Sequence, residues 1–223
     1  MRLRHLLPAL FATTALWASS AHATVVLDFA GLDGSAHEWI ADYYNGGTGN
    51  LGSGPGANYG VSFLGGRACD GANKYSPCST LAAPGGPGAN AMYFDTSAPV
   101  TMNVAGGFTT GLAFFYAAPW ESVDVDVWDG LNGKGNRLAT LHLKASPGAG
   151  IDTCFQDHAC PYIPAGLKFD GVAKSVNFNG YLPNFALITL GSNTPGGDTD
   201  VPEPASLLLV GAGLAALAKR RRQ

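Results

Sequence analysis

One strict alternation of apolar and polar residues constrains the fold of this chain more than any other feature. It occupies residues 122–128, where three valines (Val123, Val125 and Val127) alternate with Asp124, Asp126 and Trp128. Successive side chains of a β-strand point to opposite faces, so the alternation predicts a strand with one buried side. The turn-rich residues 129–135 then lead into residues 137–143, where leucines continue the apolar face. This arrangement predicts a β-hairpin on a core.

Short runs of β-forming residues recur along the chain between clusters of turn-forming residues. Besides the hairpin, the predicted strands are 25–29, 61–64, 91–94, 100–104, 111–117, 173–178 and 185–190. Residues 43–60 and 65–89 are predicted to be long loops. Eight to ten short strands without a convincing helix indicate an all-β chain with a single jelly-roll-like β-sandwich. We place this domain at residues 24–191 and a polar linker at 192–200.

The charge of the folded part argues against nucleic acid as a partner. Residues 24–197 contain seven Lys and Arg against thirteen Asp and Glu, a formal net charge of 7 − 13 = −6. Phosphate recognition needs a basic stripe, and the sequence offers none.

The first 23 residues have the composition of a signal peptide. Arg2 and Arg4 precede an apolar run at residues 6–18, and Ala21-His22-Ala23 matches the small-x-small cleavage pattern. The alternative, an amphipathic first helix, lacks the polar face that such a helix needs. We therefore expect export, with the mature chain beginning at Thr24.

The C-terminal segment combines three features in a fixed order. Val201, Pro202, Glu203 and Pro204 precede an apolar stretch at residues 205–218, and a basic end closes the chain. Fourteen helical residues span about 21 Å, which is shorter than the roughly 30 Å core of a bilayer. The cations at 219–222 are expected on the cytoplasmic side of a short membrane helix. A plain tail anchor is the alternative interpretation.

This arrangement resembles the PEP-CTERM sorting signal of Gram-negative bacteria, also labelled "ice-binding protein C-terminal domain". The resemblance, which covers residues 201–223, implies an exosortase as partner that cuts near residues 202–204 and removes the helix. It implies transient insertion in the inner membrane, followed by a cell-surface or extracellular location. Ice binding is not expected of the mature domain, because Thr109-Thr110 is an isolated pair rather than a repeated array.

Four cysteines lie in the mature part, at positions 69, 78, 154 and 160. Export places them in an oxidising compartment, and four cysteines allow three connectivities. The most economical pairing joins Cys69 to Cys78 and Cys154 to Cys160. A metal site is the alternative, but neither spacing is C-x2-C and no pair of histidines accompanies them.

A second resemblance concerns the mature domain. Its motifs are residues 27–29 (LDF), 58–63 (NYGVSF), the 129–135 turn, 178–180 (FNG) and 188–192 (ITLGS). Together they resemble β-sandwich domains often found ahead of this tag, which are similar to carbohydrate-binding jelly rolls. Those domains carry acidic residues before the ITLGS-like run, facing a structural Ca²⁺. Because Ala186 and Leu187 stand there, we expect no metal at that place.

No catalytic constellation is visible, so we expect neither enzymatic activity nor a cofactor. G-x-S-x-G is missing, and Ala41 occupies the position where a zincin would have its second histidine after His37-Glu38. Asp124 and Asp126 share one face of a strand. Three interpretations are open: the carboxylate pair of a glycosidase, a calcium site, or the solvated side of the strand.

Aromatic residues are the better functional clue. Tyr43, Tyr44, Tyr116, Trp120 and Trp128 lie in or near predicted loops or on a polar strand face. Exposed aromatic rings stack on the apolar faces of sugars. The candidate glycan-binding residues are Tyr116, Trp120 and Trp128. The alternative is that both tryptophans fill the sandwich core or cover one of its edges.

These patterns predict an exported, non-catalytic protein of the cell surface or extracellular matrix that binds exopolysaccharide. One alternative is a secreted polysaccharide-active hydrolase that uses Asp124, Asp126 or Glu121. Another is a purely structural or adhesive module.

Overall fold

The computed structural model describes residues 24–70, 78, 84, 89–95, 99–146 and 161–197. The signal peptide, Cys154, Cys160, the sorting motif and the membrane helix predicted from the sequence lie outside these residues. Within the described ranges, no helix has the length and apolarity needed to cross a membrane.

Eleven strands and one 3-10 turn are present in the described part of the chain. The strands are β1 Val25–Leu27, β2 Val61–Leu64, β3 Arg67–Asp70, β4 Asn90–Tyr93, β5 Val100–Phe108, β6 Gly111–Ala117, β7 Val123–Trp128, β8 Arg137–Leu143, β9 Ile163–Lys168, β10 Ala173–Phe178 and β11 Asn184–Leu190. The 3-10 turn, Leu131–Gly133, lies between β7 and β8.

Two antiparallel sheets pack face to face, which confirms the prediction of an all-β sandwich. The six-stranded sheet has the order β3-β4-β11-β6-β9, and β1 also pairs with β11. Along one side of β11, β4 pairs with its first residues and β1 pairs with its last three. The five-stranded sheet has the order β2-β5-β10-β7-β8.

The predicted hairpin forms as expected. Val123, Val125 and Val127 are buried, while Asp124 is exposed and Trp128 is only partly buried. β8 pairs with β7 and brings Leu143 into the core. The period-2 pattern was therefore sufficient to orient this strand pair.

Three fully buried phenylalanines join the two sheets. Phe114 on β6 and Phe185 on β11 belong to the six-stranded sheet, and their ring centroids are 5.1 Å apart. Phe178 comes from β10 in the other sheet and lies 4.8 Å from Phe185 and 6.1 Å from Phe114. Their tilted and edge-to-face geometries are those that aromatic rings prefer. This cluster is the centre of the inter-sheet core.

Two strands were missing from the sequence prediction. β9 contains Pro164 and Gly166, both of which disfavour a strand, but it pairs only with β6 and forms the edge of its sheet. Proline is tolerated at an edge because its missing N–H can face away from the ladder. β3 lies in the segment predicted as a loop at 65–89, and only its middle residues, Ala68 and Cys69, are buried. Its four residues, Arg67–Asp70, include no β-branched or aromatic side chain, so the sequence carries no strand signal there.

The predicted bond between Cys69 and Cys78 is present. Their Cα atoms are 5.7 Å apart, and both side chains are fully buried. They form a small apolar cluster on the outer side of the six-stranded sheet with Ala91, Tyr93 and Ala186. The bond therefore fastens the chain after β3 onto this sheet.

Removing this disulfide is expected to lower the free energy of unfolding by about 2–3 kcal/mol, because the bond restricts a short loop in the unfolded chain. The measurement is urea denaturation of the double variant C69A/C78A. Wild-type protein treated with reductant is the comparison and should show at least this loss, because reductant also breaks the predicted Cys154–Cys160 bond. An unchanged unfolding midpoint in the double variant would contradict the prediction.

Candidate functional site

Two exposed aromatic rings meet at one end of the sandwich. Trp120 lies in the connection between β6 and β7, and Tyr181 lies in the connection between β10 and β11. Their ring centroids are 6.3 Å apart with planes inclined at 54°. Trp120 is 44% exposed and Tyr181 is 47% exposed. Adjacent large rings on the surface are typical of a binding site. We refer to these two residues as the aromatic pair.

The backbone around each ring is held by specific contacts. Ala118 and Ser146 exchange two hydrogen bonds. The Ala118 N–H donates to Ser146 Oγ at 2.8 Å, and the Ser146 N–H donates to the Ala118 carbonyl at 2.8 Å. Gly180 has a φ of +110°, and a Cβ there would overlap the side chain of Val123. Glycine is therefore required in the turn that presents Tyr181.

Asn179 ties the Tyr181 turn to the beginning of β7. Its backbone N–H donates to the carbonyl oxygen of Asp124 at 2.9 Å, and its side-chain amide donates to the same oxygen at 3.1 Å. The amide also lies 3.3 Å from Oδ2 of Asp126. The aromatic pair is therefore continuous with the polar outer face of the five-stranded sheet.

Cross-strand pairs cover that polar face. His142 Nδ1 lies 2.6 Å from Oδ1 of Asp124, and both side chains are at least half exposed. Asp126 accepts hydrogen bonds from the Thr140 hydroxyl at 2.5 Å and from Arg137 at 3.4 Å. Two of the three carboxylates considered for hydrolysis, Asp124 and Asp126, thus have partners on β8. This is the arrangement of a solvated strand face with donors and acceptors available to a hydroxylated ligand.

Trp128 is far from the aromatic pair. It ends β7, whereas Trp120 precedes the start of β7, and the five rises of β7 itself span about 17 Å. The guanidinium of Arg137 lies 5.9 Å from the ring centroid, and the indole Nε1 is buried without a hydrogen-bond partner. The two tryptophans therefore do not form one stacking surface.

The turn after Trp128 folds back over the five-stranded sheet. The Asn132 backbone N–H donates to Asn103 Oδ1 at 2.7 Å, and the Gly133 N–H donates to Ser175 Oγ at 3.0 Å. Hydrogen bonds from the side chain and backbone of Asn136 lower the pKa of Asp129 at the base of this turn. These contacts cover the sheet beside Trp128.

Tyr116 lies in the core, which differs from the surface position expected of a glycan-binding residue. Only 5% of it is exposed, and its hydroxyl donates to the Lys144 carbonyl at 3.2 Å. Burial raises the pKa of its phenol. Tyr43 and Tyr44 are also buried, and the Tyr43 hydroxyl donates to the Ala30 carbonyl at 2.8 Å. These rings have no open face for a sugar.

Packing fills the position at which the second resemblance would place calcium ligands. Ala186 is fully buried beside the disulfide, and a bulge interrupts the pairing of β11 with β6 between Ala186 and Thr189. Among the described residues, no group of three His, Cys, Asp or Glu side chains could hold a metal ion.

Tyr181 was missed by the sequence analysis, although a signal for it existed. It lies in residues 179–183, between two strands that were both predicted, and the turn contains Gly180 and Pro183. An aromatic residue in a short turn between strands has no core to enter. Tyr181 could therefore have been recognised as a candidate residue from the sequence.

Solved structures with a similar fold include two cleaved adhesin domains of Lys-gingipain. The K2 domain has a TM-score of 0.45 and 12% identity over 76% of this chain and 100% of that chain. The K1 domain, from Porphyromonas gingivalis, has a TM-score of 0.43 and 11% identity over 77% and 99%. A carbohydrate-binding module from Cellvibrio mixtus lichenase 5A, in complex with cellotriose, has a TM-score of 0.33 and 12% identity over 49% and 82%.

A search of the curated proteins found no match to this chain. The C-terminal segment does match a family, and the match begins one residue before the Val-Pro-Glu-Pro sequence. Residues 200–222 carry the PEP-CTERM protein-sorting motif, the recognition signal of surface proteins sorted by exosortase.

Proposed function

We propose that this protein binds polysaccharide at the cell surface or in the extracellular matrix and has no catalytic activity of its own. The observation that carries the proposal is the aromatic pair, Trp120 and Tyr181, exposed beside the polar outer face of the five-stranded sheet. The sorting motif supports the location, since it directs the chain to the surface.

The chemistry of the site suits a sugar chain. Aromatic rings pack against the C–H faces of pyranose rings, and their exposed area is removed from water when they do. Asn179 precedes Tyr181 by two residues and is bonded to Asp124, which in turn pairs with His142, so the adjoining polar face supplies both hydrogen-bond donors and acceptors. An open surface of this kind binds a long chain through several sugar units.

Delivery in this proposal follows the export features of the sequence. Residues 1–23 act as a signal peptide, and residues 205–218 hold the chain transiently in the inner membrane. Exosortase then cuts near Val201–Pro204 and releases the domain to the surface. The described domain would be the part that acts after processing.

A binding role also agrees with the state of the carboxylates. Asp126 has a side chain that is only 15% exposed and accepts hydrogen bonds from β8 and from Asn179. Asp124 is held by His142. Such partners hold the carboxylates and the strands in place, and they supply no arrangement of an acid beside a nucleophile.

The test is retention of purified mature protein by the host's exopolysaccharide, measured by affinity electrophoresis. We expect W120A and Y181A each to weaken binding by about tenfold, which corresponds to about 1.4 kcal/mol. The double variant should not be retained. L131A is the matched control, because Leu131 is 43% exposed and lies in the turn at the other end of β7.

Retention of the double variant at wild-type strength would refute the assignment of the site. The non-catalytic part has a separate readout, the release of reducing ends from the same polysaccharide. Turnover by the wild type that disappears in D124N or D126N would establish the hydrolase alternative instead.

A further inference from the structure

A small cleft opens where the two sheets are joined at the start of β3. Gly65 and Gly66, both with positive φ, turn the chain from β2 in one sheet into β3 in the other. The cleft has a volume of about 210 Å³, and its walls include Trp39, Arg67 and Asp95. Ligand pockets for drug-sized molecules measure about 300–1,000 Å³, so this cleft fits something smaller, such as one sugar ring.

Trp39 is fixed beside Arg67 by backbone pairing. The two residues form an antiparallel bridge, and the Ile40 N–H donates to the Gly66 carbonyl at 3.2 Å. The guanidinium carbon of Arg67 then lies 4.2 Å from the centroid of the Trp39 ring. Stacking of this kind holds an arginine side chain extended in one orientation.

Arg67 and Asp95 face each other without forming a close pair. Nη1 of Arg67 lies 3.7 Å from Oδ2 of Asp95, which is beyond the usual length of a hydrogen bond. The Arg67 side chain is 29% exposed and that of Asp95 is 45% exposed. The Nε of Arg67 is buried and has no hydrogen-bond partner in the structure. Because the Nη1–Oδ2 contact is long and both side chains are partly exposed, the terminal nitrogens of Arg67 and the Asp95 carboxylate keep hydrogen-bonding capacity for a ligand.

The composition of the cleft selects the class of ligand. A strong donor and a strong acceptor stand on one wall, which suits two neighbouring hydroxyl groups. Phe94 and Val100, which are 3% and 2% exposed, give an apolar floor suited to the C–H face of a sugar. The charges of Arg67 and Asp95 cancel, and the domain as a whole is negative, so an anion gains little here.

We propose that this cleft binds one neutral hexose residue. Arg67 donates to one hydroxyl, Asp95 accepts from its neighbour, and the ring lies on Phe94 and Val100. This site is distinct from the aromatic pair and does not depend on it.

The strand register places the cleft at the same end of the sandwich as the aromatic pair. Arg67 is opposite Tyr93, Tyr93 is opposite Asn184, and Asn184 is opposite Ala117, three residues before Trp120. Three inter-strand steps correspond to about 14 Å. Both sites are therefore accessible from the same direction.

The experiment is a ¹⁵N NMR titration of the mature protein with the methyl glycosides of glucose, galactose and mannose. At least one glycoside should shift the Trp39 indole and the Gly65 and Gly66 amides saturably, with a Kd in the millimolar range, or about −4 kcal/mol. We expect D95A and R67M each to raise that Kd at least about tenfold, because each removes a charge-assisted hydrogen bond. D95N keeps the shape and should show a smaller rise.

W120A is the control and should bind the glycoside as the wild type does. Signals away from the cleft report whether each variant is folded, so loss of binding is separable from loss of structure. No shift with any of the three glycosides would overturn the proposal. Larger shifts with acetate or methyl glucuronide than with the neutral glycosides would overturn the proposal that the ligand is neutral. Loss of the shifts in W120A would place the hexose at the aromatic pair and overturn the separate site.

Discussion

Replacing Phe178 with alanine is expected to lower the free energy of unfolding by about 3–5 kcal/mol, the usual cost of deleting a buried phenylalanine ring. Phe178 lies on β10 of the five-stranded sheet, and its ring packs against Phe114 and Phe185 of the opposite sheet. Removing the ring leaves a cavity between the two sheets. The neighbouring strands cannot move in to fill it, because hydrogen bonds fix the spacing of the strands within each sheet.

Thermal unfolding measures this effect. For a domain of this size each kcal/mol corresponds to about 2–4 °C, so the midpoint should fall by roughly 6–20 °C. F178L retains most of the volume and should cost much less. L131A, on the exposed turn, should leave the midpoint unchanged. If the unfolding midpoint of F178A fell no further than that of F178L, the three phenylalanines would not be what joins the sheets.

Replacing Glu38 with alanine is expected to cost about 3–5 kcal/mol, since it removes the acceptor of three part-buried backbone N–H groups at once. The fully buried carboxylate accepts backbone hydrogen bonds from Asp33 and Leu51 at 2.9 Å and from Ser53 at 3.1 Å. It thereby fastens the loop after β1 to the long loop before β2. The measurement is the urea midpoint of E38A compared with the isosteric E38Q, which should lose less. Equal midpoints for E38A and wild type would contradict the prediction.

The same carboxylate should make stability depend on pH. Desolvation raises the pKa of Glu38, but hydrogen bonds from Ser53, Asp33 and Leu51 outweigh it, and the net pKa is lowered. Its contribution is therefore complete above the pKa of the unfolded chain and is lost as the pH falls through the lower, folded value. E38Q should show a smaller acid loss than the wild type in urea titrations between neutral and about pH 3. An equal loss of stability at acid pH in E38Q and the wild type would show that another group causes the pH dependence.

The fold was predictable where a strand carries β-branched and aromatic residues, even over the four residues of β2. β7 alternates over six residues, so its orientation and that of its partner β8 followed directly. β9 was not predictable, because Pro164 is acceptable only at a sheet edge and the sequence does not show which strand lies there. Glu38 was considered only as part of a failed zincin motif. Its role depends on backbone groups up to 15 positions away, and no local pattern shows such a contact.

The candidate site was predictable only in part, because exposure depends on register and turn geometry. Trp120 is exposed, as a glycan-binding residue must be. Tyr116 occupies an inward position of β6, and the sequence GLAFFYA is apolar on both faces, so its direction was not readable. Trp128 does lie on the outward face of its strand, but at the opposite end from Trp120. Its separation from Trp120 follows from strand length rather than from composition.

The pairing of β1 with β11 places the first and last strands of the domain side by side. Val25 is opposite Leu190, so the chain enters and leaves the sandwich at a single point. Tyr181 precedes the other end of β11, six strand rises or about 20 Å away. The sorting motif follows β11 in the chain. In the proposed arrangement, a domain held through the residues after β11 has the aromatic pair and the Arg67 cleft at its far end.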